Sequence, residues 1–136
     1  MVEKIDEAIA HYQRAIAINP KKPESFYNLG NALCVKGDYE QATSAYTQAI
    51  ELDNKNAPAY YNLGNALYML NKFQESVKAY NHALEINNRS PGCHFNLASA
   101  YNDLADYKGA IKHYIKSIEL DDQNIDAYLC LGNVYE

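Results

Sequence analysis

Tryptophan is absent from this chain, and cysteine, proline and glycine are all sparse. The three cysteines, Cys34, Cys93 and Cys130, are odd in number and none belongs to a C-x-x-C pair. That excludes a closed disulfide framework and the common zinc spacings, and it points to reduced thiols in a cytoplasmic, intracellular compartment. Basic residues are outnumbered, 12 Lys and Arg against 17 Asp and Glu, for a net charge of −5. Nucleic acid requires a basic face, so it is not an expected partner. No stretch approaches the roughly 18 apolar residues of a membrane span, so no membrane is expected either. The opening "MVEKIDEAIAHYQRAI" alternates charged and apolar residues, unlike a signal peptide. The asparagine of "NRS" at 88–90 meets the formal glycosylation pattern, but Pro91 follows it and no secretory signal accompanies it.

What is present in quantity is apolar and tyrosine-rich: 48% hydrophobic residues and 13 Tyr, enough to bury a core. The sequence also repeats itself. "FYNLGNAL" at 26–33 returns as "YYNLGNAL" at 60–67, "HFNLASAY" at 94–101 and "YLCLGNVY" at 128–135, always 34 residues on. Aligned at that step, columns emerge: Leu29, Leu63, Leu97 and Leu131; Gly30, Gly64, Ala98 and Gly132; Ala8, Ala42, Ser76 and Ala110; Tyr12, Tyr46, Tyr80 and Tyr114. A fifth is Ala15, Ala49, Ala83 and Ser117. Such fixed-phase self-similarity is the signature of a stacked-repeat architecture.

Within each unit the spacing is helical. Tyr39, Ala42, Tyr46, Ala49 and Ile50 fall three or four apart, as do Phe26, Leu29, Gly30 and Leu33. Each unit therefore reads as two helices. Gly37, Asn71 and Ala105 fall between them, where a left-handed residue ends a helix; Ala adopts that conformation least willingly. Asp38 and Asp106 suit the N-cap of each second helix, while Asn56, Ser90 and Asn124 suit that of each first helix. Pro23 and Pro91 stand where helices begin. The small column lets two helices approach, and the tyrosine and leucine columns fill the space beside it. No unit buries both its faces alone, so neighbours must stack.

The pattern F-x2-L-G-x2-L…A-x3-Y resembles the tetratricopeptide repeat along the whole chain. The resemblance implies an all-α fold, a right-handed α–α superhelix, or solenoid, of helix-turn-helix units. There are two departures. The customary Trp is Phe26, Tyr60, His94 or Tyr128, and the closing Pro is present only as Pro20, with Asn54, Asn88 and Asp122 in its place. Without that proline the turns between units are expected to be less rigidly enforced. A helix running straight through "ELDDQNIDAY" (119–128) would favour a swapped dimer. Complete units are expected at 23–56, 57–90 and 91–124. Residues 1–22 read as the second helix of a truncated unit and 125–136 as the first helix of another. These open ends suggest a portion of a longer array and head-to-tail association of 125–136 with 1–19 of a second copy.

Asparagine is a mediocre helix former, yet Asn28, Asn62 and Asn96 recur 34 apart until Cys130 breaks the series. Asn31, Asn65, Ser99 and Asn133 form a second series one turn on. In the family resembled, first helices line a concave surface, so these residues are expected to form a ladder along a groove. A carboxamide both donates and accepts, and so can pair with peptide backbone. Tyr27, Tyr61 and Phe95 flank the ladder, followed by Leu129, with Cys34, Val35, Tyr68 and Met69 nearby. Co-chaperone members clamp acidic tails with Lys and Arg; at the matching positions every cation is missing here. In the competing reading the asparagines merely bond a neighbouring helix or water. Joint substitution of Asn62 and Asn96 is expected to abolish peptide binding while hardly moving the melting temperature.

Catalytic chemistry is not legible. No GxGxxG, P-loop, HExxH or GxSxG motif occurs, and Asp53, Asp121 and Asp122 read as turn caps or solvated charge. His11, His82, His94 and His113 are scattered. His94 falls in the large-residue column and reads as a packing residue; Cys93–His94 is an adjacent pair without ligand spacing. No catalytic residue, metal or cofactor is expected. Three functions follow: a scaffold binding an extended protein or peptide segment, a self-associating structural array, or the substrate-targeting arm of a larger enzyme.

Overall fold

The computed structural model describes residues 2–136. Among these, eight helices follow one another: α1 (Val2–Ile18), α2 (Pro23–Lys36), α3 (Tyr39–Leu52), α4 (Ala57–Met69), α5 (Phe73–Ile86), α6 (Pro91–Asp103), α7 (Tyr107–Leu120) and α8 (Ile125–Tyr135). Each packs on the helix before and the helix after it; beyond that only α2 with α4 and α4 with α6 come together appreciably. The array is a right-handed solenoid in which α2, α4, α6 and α8 form the inner layer and the other helices the outer one.

The turns explain why every hairpin closes alike. Gly37, Asn71 and Ala105 all have positive φ, at 90°, 61° and 61°. After each, the next amide reaches back five residues, Asp38 to Leu33, Lys72 to Leu67 and Asp106 to Tyr101, at 2.9 Å each. This satisfies carbonyls that the helix end would otherwise leave bare. Ala105 holds that conformation despite its Cβ, a strain of about 1 kcal/mol or more. The side chains of Asp38, Asn56, Ser90, Asp106 and Asn124 then accept an amide three residues on, at 3.1–3.3 Å.

The junctions between hairpins are not loosened by missing proline. Asn19, Asp53, Asn87 and Asp121, again 34 apart, each accept at Oδ1 the amide two residues on, at 3.1 Å. This side-chain turn sets the reversal at every junction, with Pro20 present at the first and absent at the other three. Residues 119–128 are no continuous helix: Asp121 is extended, at φ −146°, and α8 starts afresh on its Asn124 cap. The expectation of a straight-through helix, and of a swap built on it, loses its basis for that reason.

The core is a stack of tyrosine rings on bare backbone. Tyr46, Tyr80 and Tyr114 are 1%, 1% and 2% exposed. A Cβ placed on Gly30 or Gly64 would sit 2.6 Å from the ring of Tyr46 or Tyr80, so only glycine permits that ring position. Ser76 and Ser117 stand fully buried in small-residue columns because their hydroxyls donate to the carbonyls of Gly64 (2.8 Å) and Pro91 (2.9 Å). Truncating Tyr80 to Ala removes the whole ring from a site that cannot collapse. It should cost about 3–5 kcal/mol, read as a lower urea midpoint; an unchanged midpoint would remove Tyr80 from the core.

Candidate functional site

The inner layer carries a network that runs from core to surface. Tyr46, buried against Gly30, turns its hydroxyl toward the groove and donates to Asn31 Oδ1 at 2.6 Å. Asn62, from the next inner helix, donates to the same Oδ1 at 3.0 Å and to the Tyr27 hydroxyl at 3.2 Å. One repeat on, the arrangement is reproduced. Tyr80 donates to Asn65 Oδ1 at 2.5 Å. Asn96 donates to Asn65 Oδ1 at 3.0 Å and to Tyr61 at 2.9 Å. In the third hairpin Ser99 replaces the asparagine and its hydroxyl meets that of Tyr114 at 3.0 Å.

Burial, foremost among the causes, raises Tyr46 and Tyr80 well above the ordinary phenol range and pushes Tyr114 up to about 12. All three stay protonated at neutral pH. As donors, Tyr46 and Tyr80 oblige Asn31 and Asn65 to turn oxygen toward them, which fixes both amide orientations.

The sequence-predicted residues therefore divide. Asn31, Asn62, Tyr27, and Asn65, Asn96, Tyr61 form two equivalent triplets. Phe95 takes the corresponding aromatic place, its ring edge-on to Tyr114 at 5.6 Å. Asn28 stands apart: it is exposed, and among the described residues the helix before α2 is the outer helix α1, so no inner helix bonds it. Because Asn62 and Asn96 join adjacent hairpins, replacing them also removes inter-repeat bonds. The expectation of an unchanged melting temperature is corrected on that ground; it should fall.

Two cavities lie along this face, one repeat apart. One, of about 450 Å³, is lined by Asn31, Val35, Tyr46, Asn62 and Met69 among others. The second, of about 360 Å³, is lined by Asn65, Tyr68, Met69, Phe95 and Asn96 among others. No charged side chain lines either cavity. Val35 and Met69 are 71% and 55% exposed, large apolar groups offered to solvent. At one edge Tyr68 donates to the carboxylate of Asp103. Cys34 and Cys93 are not activated thiols: burial pushes Cys93 up to about 12 and also raises Cys34.

A larger cavity, of about 830 Å³, opens on the outer side between α5 and α7. Its wall holds a contact that sequence spacing concealed. His94 Nδ1 and His113 Nδ1 are 3.0 Å apart, and His94 Nε2 lies 3.1 Å from the Asn88 carbonyl. That carbonyl requires a proton on His94 Nε2, so His94 Nδ1 accepts and His113 Nδ1 donates. The rings are nearly parallel, 19° apart, with centroids at 5.3 Å. That separation is the 3.0 Å contact plus about one ring radius on each side, so the N–H of His113 and the lone pair of His94 point at one another. They share a proton well and do not converge on a metal ion. Elsewhere these positions hold Phe26 with Ala45 and Tyr60 with Ala79. The surrounding charges, Lys112 and Lys116 with Glu85 and Glu119, are balanced.

A family model described as TPR repeat matches residues 3–34, 30–71 and 98–136, and one described as tetratricopeptide repeat matches 57–89. Comparison with curated protein sequences gives no match. Among solved structures, MamA is 27% identical with a TM-score of 0.95, over 96% of this chain and 77% of its own. YrrB, described as a TPR protein with an unusual peptide-binding site, is 22% identical with a TM-score of 0.89, over 98% and 69%. The first TPR of Spaghetti (RPAP3), bound to HSP90 peptide SRMEEVD, is 24% identical with a TM-score of 0.82, over 84% and 90%. The latter two likenesses speak for the fold.

The imidazole pair makes stability depend on pH. Burial first, then His94 and Lys112, lowers His113 from 6.5 to about 4; burial also lowers His94. Between these two values the unfolded chain binds more protons than the folded one. The stability is therefore complete above about pH 6.5 and is lost as pH falls toward 4. Thermal melts across that window should show a falling midpoint, and His113→Ala, the residue at the equivalent positions 45 and 79, should flatten the trend.

Proposed function

The chain belongs to the tetratricopeptide repeat family, and from that premise we propose that it is a non-catalytic interaction scaffold holding an extended peptide in its concave groove. The observation that carries this reading is the pair of equivalent, uncharged cavities beside amides with unspent hydrogen-bonding capacity. A surface that leaves Val35 and Met69 open to water gains free energy when a partner covers them. Two proteins of the same fold are described with peptides or peptide sites, which agrees with it. The binding residues in this reading are Tyr27, Asn31, Tyr61, Asn62, Asn65, Phe95 and Asn96; Asn28 contributes at the groove's entrance. The successive hairpins 23–56, 57–90 and 91–124 supply the inner helices between which the two cavities lie. No helix among the described residues is long and apolar enough to cross a membrane, and free Cys34, Cys93 and Cys130 suit a cytoplasmic setting.

A second reading, end-to-end association, is favoured by Gly132. Gly30 and Gly64 are each closed by a tyrosine ring, whereas a Cβ on Gly132 would meet nothing within 4 Å. Tyr12, the column's first ring, rests on no glycine among the described residues. Tyr12 of one copy set on Gly132 of another would complete a hairpin across the interface.

Peptides selected from a phage-displayed random library should lose binding to Met69→Arg while its melting temperature holds, since exposed substitutions typically change stability by about 0.5 kcal/mol or less. Selected peptides that bind Met69→Arg undiminished would place the site elsewhere. For the second reading, sedimentation velocity should show concentration-dependent association that Gly132→Leu abolishes; a monomer at every concentration would dismiss it.

A further inference from the structure

The groove's amides are one-sided, and this limits what can lie on them. Asn62 and Asn96 each spend both amide hydrogens inside the protein, on a tyrosine hydroxyl and on a neighbouring Oδ1. Only their oxygens remain to face a ligand. Asn31 and Asn65 are the converse. Their oxygens each accept two internal bonds, from a core tyrosine and from the next asparagine, and only their NH₂ groups remain. Along the inner layer the free groups therefore run donor, acceptor, donor, acceptor. A peptide main chain presents the complement, a carbonyl and an N–H on each residue.

The two cavities set the spacing. Packed helices generally lie about 8–10 Å apart, and the two cavities are offset from one another by one inner helix. An extended polyproline-type chain advances about 3.1 Å per residue with three residues per turn, so positions i and i+3 share a face about 9.3 Å apart. Charge sets the composition. Neither cavity is lined by a charged side chain, and Tyr68, which lines one of them, holds the carboxylate of Asp103. An acidic side chain would be desolvated without a partner and repelled by that carboxylate.

We propose that the occupant is an uncharged or basic segment in extended, polyproline-like conformation. It sets apolar side chains three residues apart into the two cavities. Its main chain accepts from Asn31 and Asn65 and donates to Asn62 and Asn96. This rests on the groove reading above and adds the chemistry of the partner.

The test uses fluorescein-labelled ten-residue peptides on a serine background. Each carries two leucines separated by two, three or four positions and flanks of Ser, Lys or Glu. Fluorescence polarisation should rank the three-residue spacing first and Glu flanks about tenfold weaker than Ser flanks. Two isosteric double variants separate the amide roles. Asn31→Asp with Asn65→Asp keeps the inward oxygens but converts the outward donors. Ser-flanked binding should drop about tenfold or more with the melting temperature held. Asn62→Asp with Asn96→Asp keeps the outward oxygens but removes the inward donors, so the melting temperature should fall. Binding indifferent to spacing or to Glu flanks, or unaffected by Asn31→Asp with Asn65→Asp, overturns this inference while sensitivity to Met69→Arg preserves the groove. Failure of every leucine-pair peptide where a phage-selected peptide binds also overturns this inference alone. Leucine-pair binding unaffected by Met69→Arg overturns both.

Discussion

A tyrosine ring laid on a glycine with no side chain is the contact from which the rest of the molecule follows. Tyr46 on Gly30 and Tyr80 on Gly64 let the two helices of a hairpin close to a separation no Cβ would allow. The buried ring brings dispersion and apolar burial to the core. Its hydroxyl cannot remain unpaired at that depth, so it must find an acceptor at the inner surface. Asn31 and Asn65 are that acceptor. The packing of each hairpin thereby decides how the groove's carboxamides point.

On the proposed reading, a structural and a binding role for the asparagines are not alternatives. Each has two ends. One is committed to holding adjacent hairpins in register, and the other faces the hollow with a single polarity. Rotamers locked from beneath lose little further entropy when a partner arrives, which is how preorganised sites bind an otherwise featureless main chain. The third hairpin departs from the rule: with Ala98 in place of glycine and Ser99 in place of asparagine, its hydroxyl pair replaces the amide relay.

The outer side shows what the same scaffold does when two columns change together. His94 in the large column and His113, in a column that also holds His11, Ala45 and Ala79, make a shared-proton contact where the two preceding hairpins place an aromatic ring against alanine. The exchange preserves packing volume approximately, but it ties the α6–α7 hairpin to proton concentration.

The 34-residue period, the two-helix unit, the caps and the left-handed turns were all legible in the sequence, because each depends on residues within one or two turns of one another. The column Asn19, Asp53, Asn87 and Asp121 was equally legible as a period, yet its role as the junction turn, with or without proline, needed backbone coordinates. The site was half legible. Spacing placed Asn62 and Asn96 on the inner helices, but not their partners: Tyr27 and Asn31 lie 35 and 31 residues from Asn62, and His113 lies 19 from His94. The contacts of Asn62 form only when neighbouring hairpins stack, and that of His94 only when the two helices of its own hairpin pack together. Local sequence determines which atoms a helix can present, whereas which of them are consumed and which stay free depends on distances between helices, and those only the tertiary structure decides.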